Sequence, residues 1–528
     1  MRTGLIKTLQ KLAGPALLGF ALFLILTRNQ TISEYLSNAD LLFRESIYQA
    51  VFLNHESISS LRMMASPDLI QLGLYCLCRL FLSVPHTIIV LTLLSLALFY
   101  YFSLQIAQLL SRDNLEFRLY ENSLLLGITL LTLPHFWVMG TLNQALDFDD
   151  HFFNIGVMSV ISLWLLLRIL VGSRYLTWNV LGLLASTLCT SVSEPSYQSC
   201  WVGPSLLALI YLFYWKPALR KRILLGGFVI ATAGWGGFFL LKHLALFHLQ
   251  IDYSYILNPL QRPLLVMLMQ IGLSLLLFAW SSPMLCLAWL ICVGYLFRFK
   301  TEHLPLFYVR TFLVALLCTG FVAILLFDPD ITPTTSISLL GAWFFRHSSS
   351  MVYLPLFLIG PLLLEKFTIT RLPSFDWQYK AFILILQLSL FYAIPPMPWA
   401  TLWAPPEKAW PWLQCINQVK QQYHLQQGLG SYWTARPVQI YAHLPVEPVL
   451  QDFSPYTWLA DAHSFDAKTA DFVLVDDWII TPKATEQHFG PPIAIFSCPL
   501  LPLKTIVFQV WVYSQFKICH NPESGASL

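Results

Sequence analysis

Residues 200–215 read CWVGPSLLALIYLFYW, residues 216–222 KPALRKR, and residues 223–241 ILLGGFVIATAGWGGFFLL. Two apolar runs, each close to the ~20 residues that carry a helix across ~30 Å of hydrocarbon, enclose a connection with Lys216, Arg220, Lys221 and Arg222 and no acid. Basic residues accumulate in connections on the cytoplasmic face, so the pattern predicts two membrane-spanning helices joined inside. The same pattern repeats outward in both directions. Apolar runs at about 9–27, 87–110, 123–141, 155–172, 180–193, 282–298, 307–327, 351–365 and 379–397 bring the expected number of spans to eleven.

Composition agrees with that reading. Of 528 residues 56% are hydrophobic and 11% charged, with a mean hydropathy of +0.62, whereas a water-facing surface needs roughly 25% charge. Disorder, collagen and a disulfide-stapled scaffold are excluded, because the chain is neither charge-rich, Gly-periodic nor dense in Cys. The net charge of +3 comes without a basic tract, so nucleic acid is not an expected partner. The 18 Trp, 22 Tyr and 38 Phe suit interfacial belts.

Arg2 and Lys7 before the first run and Lys11 at its start place the N-terminus inside, and the run has no small-residue cleavage site. Counting onward, Arg298 with Lys300 and Lys366 with Arg371 also fall inside, as the charge rule requires. Two further apolar stretches, 69–84 and 263–280, are assigned as re-entrant or interfacial pieces on the outer side, since either one as a span would invert every later connection. The transmembrane part thus covers 1–397, with outer loops at 28–86, 142–154 and 328–350.

After Met397 the character changes, and 398–528 contains no spanning run. A small outer domain of α+β or β-rich type is expected, with short strands at Val438 to His443 and Phe472 to Val475. Cys415, Cys498 and Cys519 allow one disulfide in an oxidising compartment, with the pairing left open.

Chemistry is sought in the outer loops. The first holds Glu34, Asp40, Arg44, Glu45, His55, Glu56, Arg62 and Asp68, and a connection that long is often functional. Its bland reading is an amphipathic interfacial helix over Ala39 to Phe52 with solvated charges. In the second, Asp147, Asp149, Asp150 and His151 crowd the membrane surface. Such clustering costs repulsion and desolvation unless a cation or protonation offsets it, and its oxygen-rich ligands suit Mg²⁺ or Mn²⁺. The alternative reading is that Asp149 or Asp150 caps the following helix, where the dipole and the free amides stabilise negative charge. Glu194, before Pro195, and Arg346, in the loop after Asp328, are further candidates for substrate contact, the latter for phosphate. Asp476 and Asp477 are expected to begin a turn. No P-loop, G-x-S-x-G elbow or HExxH helix is present.

This layout resembles the GT-C superfamily of integral membrane glycosyltransferases. The likeness rests on the cytoplasmic N-terminus, the long first outer loop with Asp40, the acidic second loop with Asp147-Phe148-Asp149, about eleven spans and the outer C-terminal domain. The stretch Gly430-Ser431-Tyr432-Trp433-Thr434-Ala435-Arg436-Pro437 through Asp476 is similar to segments of bacterial membrane proteins of this kind. The paired Asp-Glu of protein O-mannosyltransferases is missing, because Ala39 precedes Asp40.

The resemblance implies an inverting hexosyltransferase of a bacterial inner membrane. It would move a sugar from a polyprenyl-phosphate donor to a glycan, lipid or protein acceptor of the cell envelope. Asp40, Asp149 and Asp150 would be catalytic; Asp147, His151, Glu194 and Arg346 would bind substrate; Asp147 and Asp149 would hold a metal. A transporter or flippase of lipid-linked sugars, or a non-enzymatic envelope scaffold, are the alternative readings.

Overall fold

The computed structural model describes residues 13–24, 39–55, 69–111, 114–130, 156–193, 197–243, 283–298, 301–326, 375–393, 405–455, 469–476, 479–499 and 507–517, with isolated positions at 272, 276, 354–356 and 358–359. A helical body is built from α1 (Ala13–Leu24), α2 (Ala39–Tyr48), α3 (Leu69–Arg79), α4 (Val84–Leu110), α5 (Asn114–Leu130), α6 (Met158–Val171), α7 (Leu176–Ser193), α8 (Gly203–Trp215), α9 (Arg220–His243), α10 (Pro283–Arg298), α11 (Leu304–Leu326) and α12 (Phe375–Ala393). The C-terminal unit follows with α13 (Pro411–Tyr423), β1 (Gly428–Gly430), α14 (Tyr432–Ala442), β2 (Val446–Pro448), β3 (Thr469–Val475), α15 (Pro482–Phe489), β4 (Ala494–Pro499) and β5 (Val507–Lys517).

Among the described residues three helices, Val84–Leu110, Leu176–Ser193 and Pro217–Leu240, are long and apolar enough to cross a membrane, against the eleven expected. The 27 residues of α4 reach about 40 Å. The apolar helices Ala13–Leu24, Leu69–Arg79, Met158–Val171, Cys286–Arg298 and Leu304–Gly320 are shorter. With 11 residues, α3 is about 16 Å long and too short to span. The stretch 263–280 lies outside the described residues apart from two isolated positions.

Small residues let the helices approach. A Cβ added at Gly237 of α9 would lie 2.7 Å from the Ser191 Cβ and 2.8 Å from the Leu188 carbonyl oxygen of α7, so only glycine fits there. Several polar side chains inside the body tie helices together. Gln387 of α12 donates to the Leu17 carbonyl and to Thr129 Oγ1, each at 2.9 Å, which ties α12 to α1 and α5. Lys380 meets Glu121 at 2.9 Å and Asp376 at 3.5 Å, while Asn122 and Arg118 reach the same Asp376 at 3.1 and 3.4 Å. This four-charge group of α5 and α12 nets to zero, as burial demands.

The two ends of the body are distinct. At one end the termini of α4 and α6 meet the connections around Leu219–Arg222 and His303–Pro305, where Arg222 Nη1 donates to the Leu170 carbonyl at 3.1 Å. At the other, the backbone amide of Leu69 donates to Ser193 Oγ at 3.1 Å. These are the connections that the charge pattern assigns to the inside and the outside respectively.

The C-terminal sheet has the order β2-β1-β3-β5-β4. β1 pairs in parallel with β2 and β3, and β5 pairs antiparallel with β3 and β4. The parallel β1–β2 pair needs a crossover, and α14 supplies it. Residues 438–443 are therefore not the strand that their alternation suggested. α14 buries Thr434 through Val438 and Ile440 through Ala442, so the polar positions do not mark a wet face. The expected strand at Phe472 to Val475 is present as part of β3. Gly428 faces the Phe472 ring so closely that any Cβ would collide with it.

Successive residues of β3 serve two cores. Val473 and Val475 join Leu429, Trp511 and Tyr513 on one face, whereas Phe472 and Leu474 belong to an apolar cluster that continues through Trp410 and Trp412 into the helical body. Cys415 of α13 is joined to Cys498 of β4, which settles the pairing left open by the sequence; Cys519 lies outside the described residues. Asp476 begins a turn, accepting from the amides of Ile479 and Ile480 at 2.8 and 3.0 Å, and also accepts from Ser431 Oγ at the end of β1.

Candidate functional site

The helix that carries Asp40 is α2, ADLLFRESIY, continued by a π-helical turn at Gln49–Leu53. Leu42, Phe43, Ile47 and Tyr48 are buried, as an amphipathic helix requires, but Arg44 and Glu45 are buried as well, at 3% and 0% exposure. The solvated-charge reading of this loop is thereby corrected: a helix can bury two adjacent charges only where another element supplies their partners.

That element is α3. Gln71, Tyr75 and Arg79 stand four residues apart and so share one helix face. Glu45 Oε2 accepts from Tyr75 Oη at 2.9 Å and from Arg79 Nε at 2.6 Å; Oε1 accepts from Arg79 Nη2 and from Gln49 Nε2, both at 3.0 Å. The Arg79 fork is bidentate, the strongest geometry open to this pair. Its Nη1 donates to the Leu82 carbonyl at 2.5 Å, and its guanidinium lies 4.9 Å over the Tyr48 ring. Arg44 donates to Gln71 Oε1 at 2.5 Å. With four donors the Glu45 carboxylate has no capacity left for a reacting proton, so it is an anchor and not a base.

The C-terminal unit closes over the same helix. α14 packs on α2, and Arg436 Nη1 donates to Ser46 Oγ at 2.9 Å and to Gln439 Oε1 at 3.2 Å. Tyr441, fully enclosed, lies within electrostatic range of Glu45 and Arg79, and burial first and the Glu45 charge second hold its phenol well above the usual value. Lys420 of α13 donates to the carbonyls of Ala442 and His443 at 2.9 and 3.0 Å, satisfying the end of α14.

Asp40 is the second residue of α2, five positions and about 7.5 Å of helix from Glu45; its side chain lies outside the described residues. So do Asp147, Asp149, Asp150, His151, Glu194 and Arg346, with Glu194 directly following the last residue of α7. Among the described residues no group of three or more His, Cys, Asp and Glu side chains is placed to hold a metal ion, and the expected ligands Asp147 and Asp149 are not among them. The structure therefore brings together Arg44, Glu45, Ser46, Gln71, Tyr75, Arg79, Arg436 and Tyr441. Of these, sequence reasoning singled out only Arg44 and Glu45 as loop charges. The i, i+4, i+8 spacing of Gln71, Tyr75 and Arg79 in an apolar stretch was the available signal.

No protein-family model matches the chain, and no curated protein matches it at a significant level.

Proposed function

We propose that the protein is a multi-pass glycosyltransferase of a bacterial cytoplasmic membrane that moves a sugar from a polyprenyl-phosphate donor to an envelope acceptor on the outer side. The observation that carries this reading is the packing of α14 on α2, which sets the C-terminal unit over the helix bearing Asp40. A transferase of this layout needs its base on a held element, because acceptor and donor must be brought within about 3–3.5 Å in line.

In the reaction, the Asp40 carboxylate takes the acceptor hydroxyl proton as the oxygen bonds to the anomeric carbon. The bond from that carbon to the phosphate oxygen breaks with inversion, and the lipid phosphate leaves with the electron pair. Asp149 and Asp150 orient the acceptor, with His151 and Glu194 as further substrate contacts, and Arg346 meets the phosphate. A Mg²⁺ or Mn²⁺ ion at Asp147 and Asp149 would supply neutralisation of that leaving charge. The gathering of the basic connections at one end of the body, away from the α2–α14 contact, supports the inside and outside assignment.

The test is transfer in membranes from labelled polyprenyl-phosphate sugars to native envelope extract. Asp40→Asn should remain folded and lose about 10²- to 10⁴-fold in rate. Wild-type-like activity in that variant removes Asp40 from the chemistry. No transfer by the wild type across a broad donor panel, together with movement of lipid-linked sugar across vesicles, replaces the transferase with a flippase.

A further inference from the structure

α3 has its faces exchanged relative to a water-facing helix. Its polar side, Gln71, Tyr75 and Arg79, is turned inward onto α2, where it holds Arg44 and Glu45. Leu69 and Leu77 stand on the opposite side, 38% and 57% exposed, and the turn that follows α3 bares Leu80 and Phe81 at 58% and 82%. Between the two leucines lies Gly73, where an added Cβ would meet nothing within 4 Å. Leu69, Gly73 and Leu77 stand four residues apart, so the uncovered side is continuous along the helix.

The two ends of α3 fix its level. At the start, the Leu69 amide donates at 3.1 Å to the hydroxyl of Ser193, the last residue of α7. At the end, residues 80–83 lead into Val84, the first residue of α4. α4 and α7 are two of the three described helices long and apolar enough to cross a membrane, and α3 packs against both. An element of about 16 Å is too short to join opposite faces of a bilayer, so the end of α7 and the start of α4 share one face and α3 lies across them there.

At that level a bare apolar side meets either water or the boundary between headgroups and acyl chains. Four large apolar side chains stay out of water only in the second, which accepts a helix at a depth of about 5–10 Å. An ordinary surface helix keeps its polar side for water; here α2 has taken that side, and the apolar one is left for lipid. We propose that α3 is an interfacial helix whose Leu69, Leu77, Leu80 and Phe81 rest in the lipid leaflet around the outer ends of α4 and α7. The leaflet then forms the wall behind the Glu45–Arg79 pair and, through it, behind α2. The proposal rests on the membrane-spanning part of the functional reading and is independent of glycosyl transfer.

The experiment uses the full chain in nanodiscs of phosphatidylcholine and phosphatidylglycerol. A photoreactive phenylalanine analogue replaces, one at a time, Gly73, Leu77 or Phe81, Trp235 on the exposed side of α9, and Gln487 on the exposed side of α15. After irradiation, lipid adducts are counted by mass spectrometry of the intact protein. The three α3 positions should react with lipid at a level close to that of Trp235 and about tenfold above that of Gln487. Adducts at the Gln487 level, or crosslinks from these positions to another part of the chain or to a second copy, overturn the proposal. An absence of lipid adducts at Trp235 overturns the membrane reading itself, whereas failure of α3 alone leaves Trp235 reactive. Thermal midpoints verify the fold of each variant, and Gly73, with open space around it, keeps the test decisive even where a change at Phe81 disturbs the turn.

Discussion

Arg436 Nη1 donates to Ser46 Oγ across 2.9 Å, although 390 positions separate the two residues in the chain. One sits in the C-terminal unit and the other on the first loop helix, one residue from the buried Glu45. The contact makes the loop and the unit a single structure, and α2 is held on one side by α3 and on the other by α14.

Removing one partner of the enclosed Glu45–Arg79 pair should be costly. Glu45→Gln is expected to destabilise the protein by about 3–5 kcal/mol, because it leaves the Arg79 guanidinium, 16% exposed, without its counter-charge. Replacing both together by Leu and Met should recover most of the loss. Thermal unfolding in detergent reads both; a single variant as stable as wild type would show that the pair is screened by water.

The disulfide tests the side of the membrane. Closure of a loop by Cys415 and Cys498, 83 positions apart, is worth about 4.5 kcal/mol by chain entropy. In cells, rapid alkylation followed by reduction should find this pair oxidised if the unit is outside, since the cytosol keeps thiols reduced. Both thiols alkylated at once in the native membrane would put the unit inside.

Glu447 of β2 is 0% exposed, and burial raises its carboxyl to about 8. The unfolded chain, near 4.3, releases that proton earlier, so between about 4.3 and about 8 the folded state holds more protons and stability falls as pH rises. Glu447→Gln should flatten this slope and gain stability relative to wild type at pH 8. Parallel stability curves for the two proteins across that window would refute the assignment.

Close approach of α7 and α9 depends on Gly237, where a Cβ would stand 2.7 Å from Ser191 Cβ. Gly237→Val should cost about 1–3 kcal/mol, read as a lower thermal midpoint in detergent. An unchanged midpoint would mean that the two helices can part freely.

The helices were legible because their signal is local. The expected run at 180–193 is found as α7 over Leu176–Ser193, and that at 282–298 as α10 over Pro283–Arg298. What the sequence could not display was pairing. Glu45 reads as one more loop charge until Tyr75 and Arg79, 30 and 34 positions later, are placed against it. Likewise Asp376 and Lys380 read as ordinary charges at a helix start until α5 brings Arg118, Glu121 and Asn122 to them. The strand expected at Val438 failed for a related reason: alternation reports a wet and a dry face, and α14 has almost no wet face.

The Ser46–Arg436 contact also sets a timetable. Ribosomes add about 5–20 residues per second, so the 390 positions between them take roughly 20–80 s to emerge. Throughout that interval α2 exists without its second wall. The nascent protein therefore spends most of its synthesis with the Asp40 helix unclosed, and its last quarter acts as the latch that completes it.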